Sequence, residues 1–271
     1  MLFAPAKINI SLEIGKKLAD GFHEISSEIV KISLGDFLKI DFSEKNPRGK
    51  IAIKIKNATG ENIKIPPEKN LVAIAIQKFF AEFLPEKNRP DFEIFLEKKI
   101  PIGGGLGGGS SDAAATILFL EKHFLPTLSP KKRRNLARKI GADVPLFLEK
   151  FSRGKITGRG EIFEKKPPKK MFFCLVRPRG EIFLTGEMFR KFDDFRRKNP
   201  AAKTFGEMIF ADEKYRKIAE KMEKSGAEKV GVSGSGSVVF GLFQKKSAAK
   251  IAEKSFDKND FWRATAETKK T

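Results

Sequence analysis

Pro101-Ile-Gly-Gly-Gly-Leu-Gly-Gly-Gly-Ser-Ser111 runs directly into Asp112-Ala-Ala-Ala-Thr-Ile-Leu-Phe-Leu120. Six glycines occupy the seven positions 103–109. They free the backbone for φ > 0 and let successive N–H groups point into one concavity. The alanine-rich run behind them reads as a helix capped by Ser110 or Ser111. The unsatisfied N–H groups and the dipole at a helix N-terminus favour an anion there. Together these features meet the requirements for cradling a polyphosphate. The loop is not a Walker A motif, because no Gly-Lys-Ser or Gly-Lys-Thr follows it. Nor is it a dinucleotide fingerprint, since the acidic residue expected about 20 positions on is absent. A flexible linker is the plain alternative, but linkers are seldom set directly against an amphipathic helix.

On the N-terminal side, Ile8, Ile10, Leu12 and Ile14 alternate with Lys7, Asn9, Ser11 and Glu13, the period of a strand with one buried face. Lys7 and Asn9 therefore share its polar side. An Asp20-Gly21 turn precedes strand-like stretches at 23–34, 37–42 and 50–55. Asn70 caps a helix to about Leu84, and 91–97 reads as a strand. Ser129-Pro130 opens a helix that stops at Gly141. Asp143-Val144-Pro145 then leads into a short apolar strand, 146–148, with Val144 biased to an extended backbone by the proline. Glycines and prolines cluster at 150–170, which suggests a domain boundary. Beyond it, strands at 171–176, 227–232, 237–243 and 261–266 mix with helices at 185–192, 213–224 and 247–255, an α+β pattern. The second glycine-rich turn, Gly231 to Ser237, is either a plain turn or a further set of Ser and Gly groups facing phosphates.

The 271 residues include 54 Lys plus Arg against 34 Asp plus Glu, a formal net charge of +20. That is the footprint of a nucleic-acid binder, yet the basic residues are scattered and no block reaches the length of a basic tail. The surplus reads as solvated faces, or as a field that steers an anionic ligand. The lone Cys174 excludes a disulfide framework and a Cys-based zinc site, and it fits a reducing compartment. No signal peptide or transmembrane run is present, so a cytoplasmic location is expected.

Four segments occur in order: Pro5-Ala-Lys-Ile-Asn9, the glycine loop, Gly141-Ala-Asp-Val-Pro145 and Ser233-Gly-Ser-Gly-Ser237. This series resembles the GHMP kinase superfamily. The resemblance implies an α+β, two-domain GHMP kinase fold. Residues 1–155 would form a domain like ribosomal protein S5 domain 2, with the glycine loop, and 156–271 a ferredoxin-like domain. Within the superfamily, Asp20-Gly-Phe-His23 and the form of the glycine loop resemble the branch that acts in non-mevalonate isoprenoid synthesis. The acceptor there is the 2-hydroxyl of a cytidine diphosphate-linked methylerythritol, and the phosphoryl donor is ATP.

By position, the resemblance makes Asp143 the catalytic base and Lys7 the lysine that orients it. It assigns the nucleotide phosphates to Pro101, Ile102, Gly103, Gly104, Gly105, Leu106, Gly107, Gly108, Gly109, Ser110 and Ser111. It places Asn9 near the substrate, His23 on the cytosine edge, and Phe22 (more usually Tyr) and Phe189 on the cytosine faces. For Phe189, helical core is the alternative. With no carboxylate cluster in view, Mg²⁺ is expected on the nucleotide and water, with Ser111 as its protein ligand. Asp112 reads as a dipole and capping residue, and His123 and Cys174 as structural. The expected partner is the small-molecule substrate, with no nucleic acid and no membrane, in a monomer or weak homodimer. Another GHMP kinase, of mevalonate or homoserine type, is the near alternative; a basic RNA-binding protein on an S5-like fold is the distant one.

Overall fold

The computed structural model describes residues 1–61, 65–85 and 89–270. In chain order the elements are β1 (Leu2–Lys17), β2 (His23–Ser43), β3 (Ile51–Asn57), α1 (Leu71–Phe83), β4 (Asp91–Lys98), α2 (Gly108–Phe124), α3 (Pro130–Ile140) and α4 (Val144–Leu148). There follow β5 (Arg153–Gly158), β6 (Ile162–Lys166), β7 (Phe172–Pro178), α5 (Thr185–Lys198), α6 (Phe205–Ile209), α7 (Glu213–Lys224), β8 (Lys229–Val232), β9 (Val239–Phe243), α8 (Lys246–Lys254) and β10 (Phe261–Glu267). Local signals set several of these ends. Asn70 accepts from the Val72 N–H and Ser129 from the Lys132 N–H, each satisfying an orphan donor of the first turn. Thr204 and Glu207 form a reciprocal capping box on α6.

Two compact units are interleaved along the chain. The first comprises Met1–Ala6, Gly35–Ile100 and Gly107–Lys150; the second comprises Lys7–Leu34, Pro101–Leu106 and Phe151–Thr271. In the first unit, β4 pairs antiparallel with the C-terminal half of β2 (Phe37↔Glu97 to Ser43↔Asp91) and parallel with β3. Helices α1 to α4 supply apolar faces to its core, around Phe79, Phe80, Phe92, Ile94, Ile117 and Leu120. β4 alternates so that Phe92, Ile94, Leu96 and Lys98 are buried. The last of these is a lysine at an apolar register.

The second unit contains an antiparallel sheet in the order β10-β7-β9-β8, with α5 to α8 burying Phe192, Phe205, Tyr215, Ile218 and Met222 beside it. In the same unit the N-terminal half of β2 pairs with β5, and β5 with β6. Arg196 of α5 ties the end of β1 down: Nη1 donates to Gly15 O at 2.7 Å and Nη2 to Ile14 O.

Three local readings change. Residues 23–34 and 37–42 are one strand, β2, because the intervening Gly35-Asp36 stays extended. The division between the two units at Lys150–Phe151 falls at the start of the stretch 150–170, and the glycines beyond it shape the β5–β6 hairpin, whose turn uses Gly158 and Gly160 at positive φ. Residues 146–148 are helical, not a strand. Pro145 lies in the first turn of α4, where its missing N–H costs nothing, and a three-residue apolar run carries no period of its own. Helix α2 is capped by neither Ser110 nor Ser111; it starts at Gly108, with Gly107 at the N-cap in the left-handed conformation. Among the described residues no helix is long and apolar enough to cross a membrane.

Candidate active site

Within the second unit, the first half of the glycine loop is clasped by the second glycine-rich turn. Ser237 N donates to Gly103 O at 3.3 Å and Val238 N to Gly104 O at 3.3 Å. Ser233 Oγ donates to Gly105 O at 3.1 Å. Gly105 has φ +73°, and a Cβ there would lie 1.9 Å from Ser233 O. Only glycine permits that backbone approach. From below, the fully buried Arg177 of β7 donates from Nη1 to Ile102 O at 2.6 Å. The turn at 231–237 is thus the support of the loop, not a bare reversal.

Lys7 and Asn9 share a face of β1, as the alternation predicts, but that face is buried: they are 5% and 4% exposed. Lys7 Nζ donates to Asn9 Oδ1 at 2.6 Å and to Gly105 O at 2.8 Å. Asn9 Nδ2 donates to Ser27 Oγ at 2.8 Å, and Ser27 Oγ to Ser11 O at 2.5 Å. Every link in this chain uses a complementary donor and acceptor, so the ammonium is fixed to the backbone of the glycine loop. Sequence reasoning finds Lys7 and Asn9 by period; it misses Ser27 and Ser233, which lie 18 and 224 residues from Asn9.

His23 and Phe189 also come together in this unit. Their rings stack at 5.2 Å between centroids with 18° between planes. Phe189 also meets Phe205 edge-on at 5.0 Å and packs on the core, so it serves the helix core as well as the His23 face. His23 is buried, and its Nε2 lies 2.7 Å from Asp193 Oδ1. Lys17 Nζ donates to the other oxygen of Asp193 at 2.7 Å. Burial works against the Asp193 charge, but the hydrogen bonds from Lys17 and His23 outweigh it and hold the carboxyl below the usual carboxylate range. Phe22 stands apart from this cluster: it is 61% exposed and makes no ring–ring contact among the described residues.

In the first unit, α2 begins without a side-chain cap, so its first-turn N–H groups are not taken up by a capping oxygen. Ser111 Oγ is buried and makes no hydrogen bond. This donor set suits phosphate oxygens. Asp112, in the next position, is not a cap. It is buried and accepts from Lys98 Nζ at 2.8 Å, while Lys98 also pairs with Asp36. Asp36 accepts in addition from the N–H groups of Lys99 (2.6 Å) and Ile100 (2.8 Å), just ahead of the glycine loop. Burial, reinforced by the like charge of Asp36, pushes the Asp112 carboxyl up to about 7 despite Lys98. Lys98 is held above its ordinary range: burial opposes its charge, but the two carboxylates prevail.

Asp143 occupies the N-cap position of α4 with φ −85° and ψ −11°; its side chain does not cap the helix. It follows Gly141, whose carbonyl accepts from Val144 N at 3.1 Å. The residue is half-buried and held at a corner between α3 and α4. His123 Nδ1 donates to Phe119 O at 2.8 Å within its own helix, and Cys174 is fully buried with its thiol pushed up to about 12 by that burial. Both are structural, as the sequence reading has them.

Residues 70–150 match the family model described as GHMP kinases N terminal domain, and 206–259 match GHMP kinases C terminal. The chain is 33% identical over 268 residues to the 4-diphosphocytidyl-2-C-methyl-D-erythritol kinase of Desulfotalea psychrophila, covering 91% of this chain and 86% of that protein. To the protein of the same name from Thermoanaerobacter sp. it is 34% identical over 265 residues, covering 89% and 86%. A crystal structure of 4-(cytidine 5'-diphospho)-2C-methyl-D-erythritol kinase superposes with a TM-score of 0.73 at 24% identity, over 97% of this chain and 98% of that one. Homoserine kinase from Cytophaga hutchinsonii gives 0.66 at 16% identity, over 99% and 93%. The two solved structures show a shared fold.

Proposed function

The chain belongs to the 4-diphosphocytidyl-2-C-methyl-D-erythritol kinase family of GHMP kinases, and from that membership we propose what it does. It transfers the γ-phosphoryl group of ATP to the 2-hydroxyl of 4-diphosphocytidyl-2-C-methyl-D-erythritol, a step of non-mevalonate isoprenoid synthesis. The observation that carries the reading is 33% identity to such a kinase in an alignment that covers 91% of the chain. The geometry supports it: a glycine loop held open by backbone contacts, a buried ammonium tied to that loop, and a histidine–carboxylate pair beside an aromatic ring.

Phosphoryl transfer asks a protein mainly for positioning and for electrostatic stabilisation. We assign the phosphates to Pro101–Ser111. The N–H groups of the loop and of the first turn of α2 would bind oxygens whose charge grows in the transition state. Asp143 would accept the proton of the substrate hydroxyl as its bond to phosphorus forms. Lys7, whose Nζ donates to Gly105 O, would offset negative charge that develops near the loop. Asn9 holds the lysine in place through Oδ1. His23, Phe22 and Phe189 would receive the cytosine, the histidine at its polar edge and the rings at its faces.

Bound Mg²⁺ would neutralise phosphate charge. Among the described residues no three His, Cys, Asp or Glu gather to hold a metal. The buried hydroxyl of Ser111, which makes no hydrogen bond, would serve as its protein ligand. The functional halves 1–155 and 156–271, a cytoplasmic location and a monomer or weak homodimer are part of the same proposal.

The experiment is an ATP-dependent turnover assay on the purified chain with the cytidyl diphosphate substrate, homoserine and mevalonate in parallel. Turnover of the cytidyl compound alone is expected. Turnover of homoserine or mevalonate in its place would overturn the substrate assignment.

A further inference from the structure

The pair His23–Asp193 carries more than a contact. The two residues are 170 positions apart, and the distance from Nε2 to Oδ1 is 2.7 Å. A carboxylate only accepts, so the proton of this hydrogen bond is on Nε2. In the neutral imidazole the other nitrogen, Nδ1, is then a lone-pair acceptor. No hydrogen bond engages Nδ1 among the described residues. Lys17 secures the arrangement from the far side of Asp193, and the parallel Phe189 ring restricts rotation of the imidazole. Hydrogen bonds from two donors keep Asp193 charged, so the acceptor role of its carboxylate persists across neutral pH.

We propose that Asp193 is a positioning residue that sets base preference: by holding the proton on Nε2 it presents Nδ1 as an acceptor to the 4-amino group of cytosine. Uracil carries an acceptor oxygen at that position and would set one lone pair against another. Sites built to pair with a particular donor reject an analogue that lacks it far better than apolar pockets reject a methylene. This inference rests on the cytidine-linked substrate proposed above. Asp193 need not touch the base; it acts through the tautomer of His23.

The test has two independent readouts. The first is the ratio of kcat/KM for the cytidyl substrate over its uridyl analogue, in the wild type and in Asp193→Asn. An asparagine can turn its amide toward Nε2, which moves the ring proton to Nδ1 and makes that nitrogen a donor. The ratio is expected to fall about tenfold or more, with KM for ATP unchanged. A ratio equal to that of the wild type overturns the proposal while leaving the kinase reading intact. If the wild type turns over neither compound, the kinase reading fails and takes the inference with it.

The second readout needs no activity and leaves Asp193 and His23 unchanged. The chain has two histidines, so ¹⁵N imidazole spectra contain two residues, and His123→Asn assigns them. At a pH where the ring is neutral, His23 in the wild type is expected as the Nε2–H tautomer. Finding the proton on Nδ1 instead overturns the proposal.

Discussion

Lys98 Nζ donates to Asp112 Oδ2 at 2.8 Å with both side chains 3% exposed, and the same ammonium also serves Asp36. Two carboxylates and one cation buried together leave one negative charge too many. Asp112 Oδ1 is buried without a hydrogen-bond partner, and its carboxyl is pushed up to about 7 from 3.8. The folded protein therefore binds this proton more tightly than the unfolded chain does. The stabilisation is complete below pH 3.8 and is lost as pH rises toward about 7, by up to roughly 1 kcal/mol per pH unit. Asp112→Asn, neutral at every pH, should remove that slope. Denaturant unfolding of both proteins from pH 4 to 8 checks it, and parallel curves would show that Asp112 does not hold the proton.

Legibility in the sequence followed the range of each signal. Helix α7 ends where the sequence reading puts it, at 213 and 224, because Asp212 accepts from the Lys214 N–H within one turn. The shared face of Lys7 and Asn9 is likewise local, a matter of period two. Helix α4 and the β5–β6 hairpin were not legible. Their glycines and prolines break regular structure in general, and only tertiary packing decides which of these residues form a short helix or a hairpin turn. The partners of the site were hidden for another reason: Asp193 and Ser233 meet residues of β1 and β2 from far along the chain. Two clues did exist. Lys98 falls on the buried register of β4, and Asp193 follows Phe189 by four residues, one helical turn.

Gly105 and Gly109 should respond in opposite ways to alanine. A Cβ on Gly105 meets Ser233 O at 1.9 Å in a backbone with φ +73°. The left-handed conformation alone costs about 1–2 kcal/mol, and the clash separates the loop from its supporting turn. At about 2–4 °C per kcal/mol for a chain of this size, Gly105→Ala should lower Tm by roughly 8 °C or more and abolish ATP binding. Gly109 lies in the first turn of α2, where a Cβ would touch only Leu71, at 3.5 Å. Gly109→Ala should leave Tm level or raise it by a few degrees, since alanine favours the helix by about 0.5–1 kcal/mol. Thermal melts with and without ATP measure both.

Asp143 and Lys7 are separable by what else each holds. Asp143→Asn keeps size and polarity but not basicity, so kcat should fall about 10²–10⁴-fold. KM for both substrates should stay within about threefold. Lys7→Met removes the donors to Asn9 Oδ1 and Gly105 O and leaves buried acceptors unmet, a cost of about 1–3 kcal/mol. It should therefore lose activity and Tm together. Steady-state kinetics beside thermal melts distinguish the two. Turnover of Asp143→Asn within a few-fold of wild type would remove Asp143 from the chemistry.

Phe22 offers the cleanest separation of binding from folding. A phenyl ring that is 61% exposed contributes little to the core, so Phe22→Ala should change stability by less than about 0.5 kcal/mol. If the ring is a platform for the cytosine, its loss costs binding about 0.5–1.5 kcal/mol. KM for the cytidyl substrate should then rise about two- to tenfold, with KM for ATP unmoved. Phe22→Tyr keeps the π face and should behave as the wild type. A lowered Tm in Phe22→Ala would mark the ring as structural. An unchanged KM would mean that the base rests on Phe189 and His23 alone.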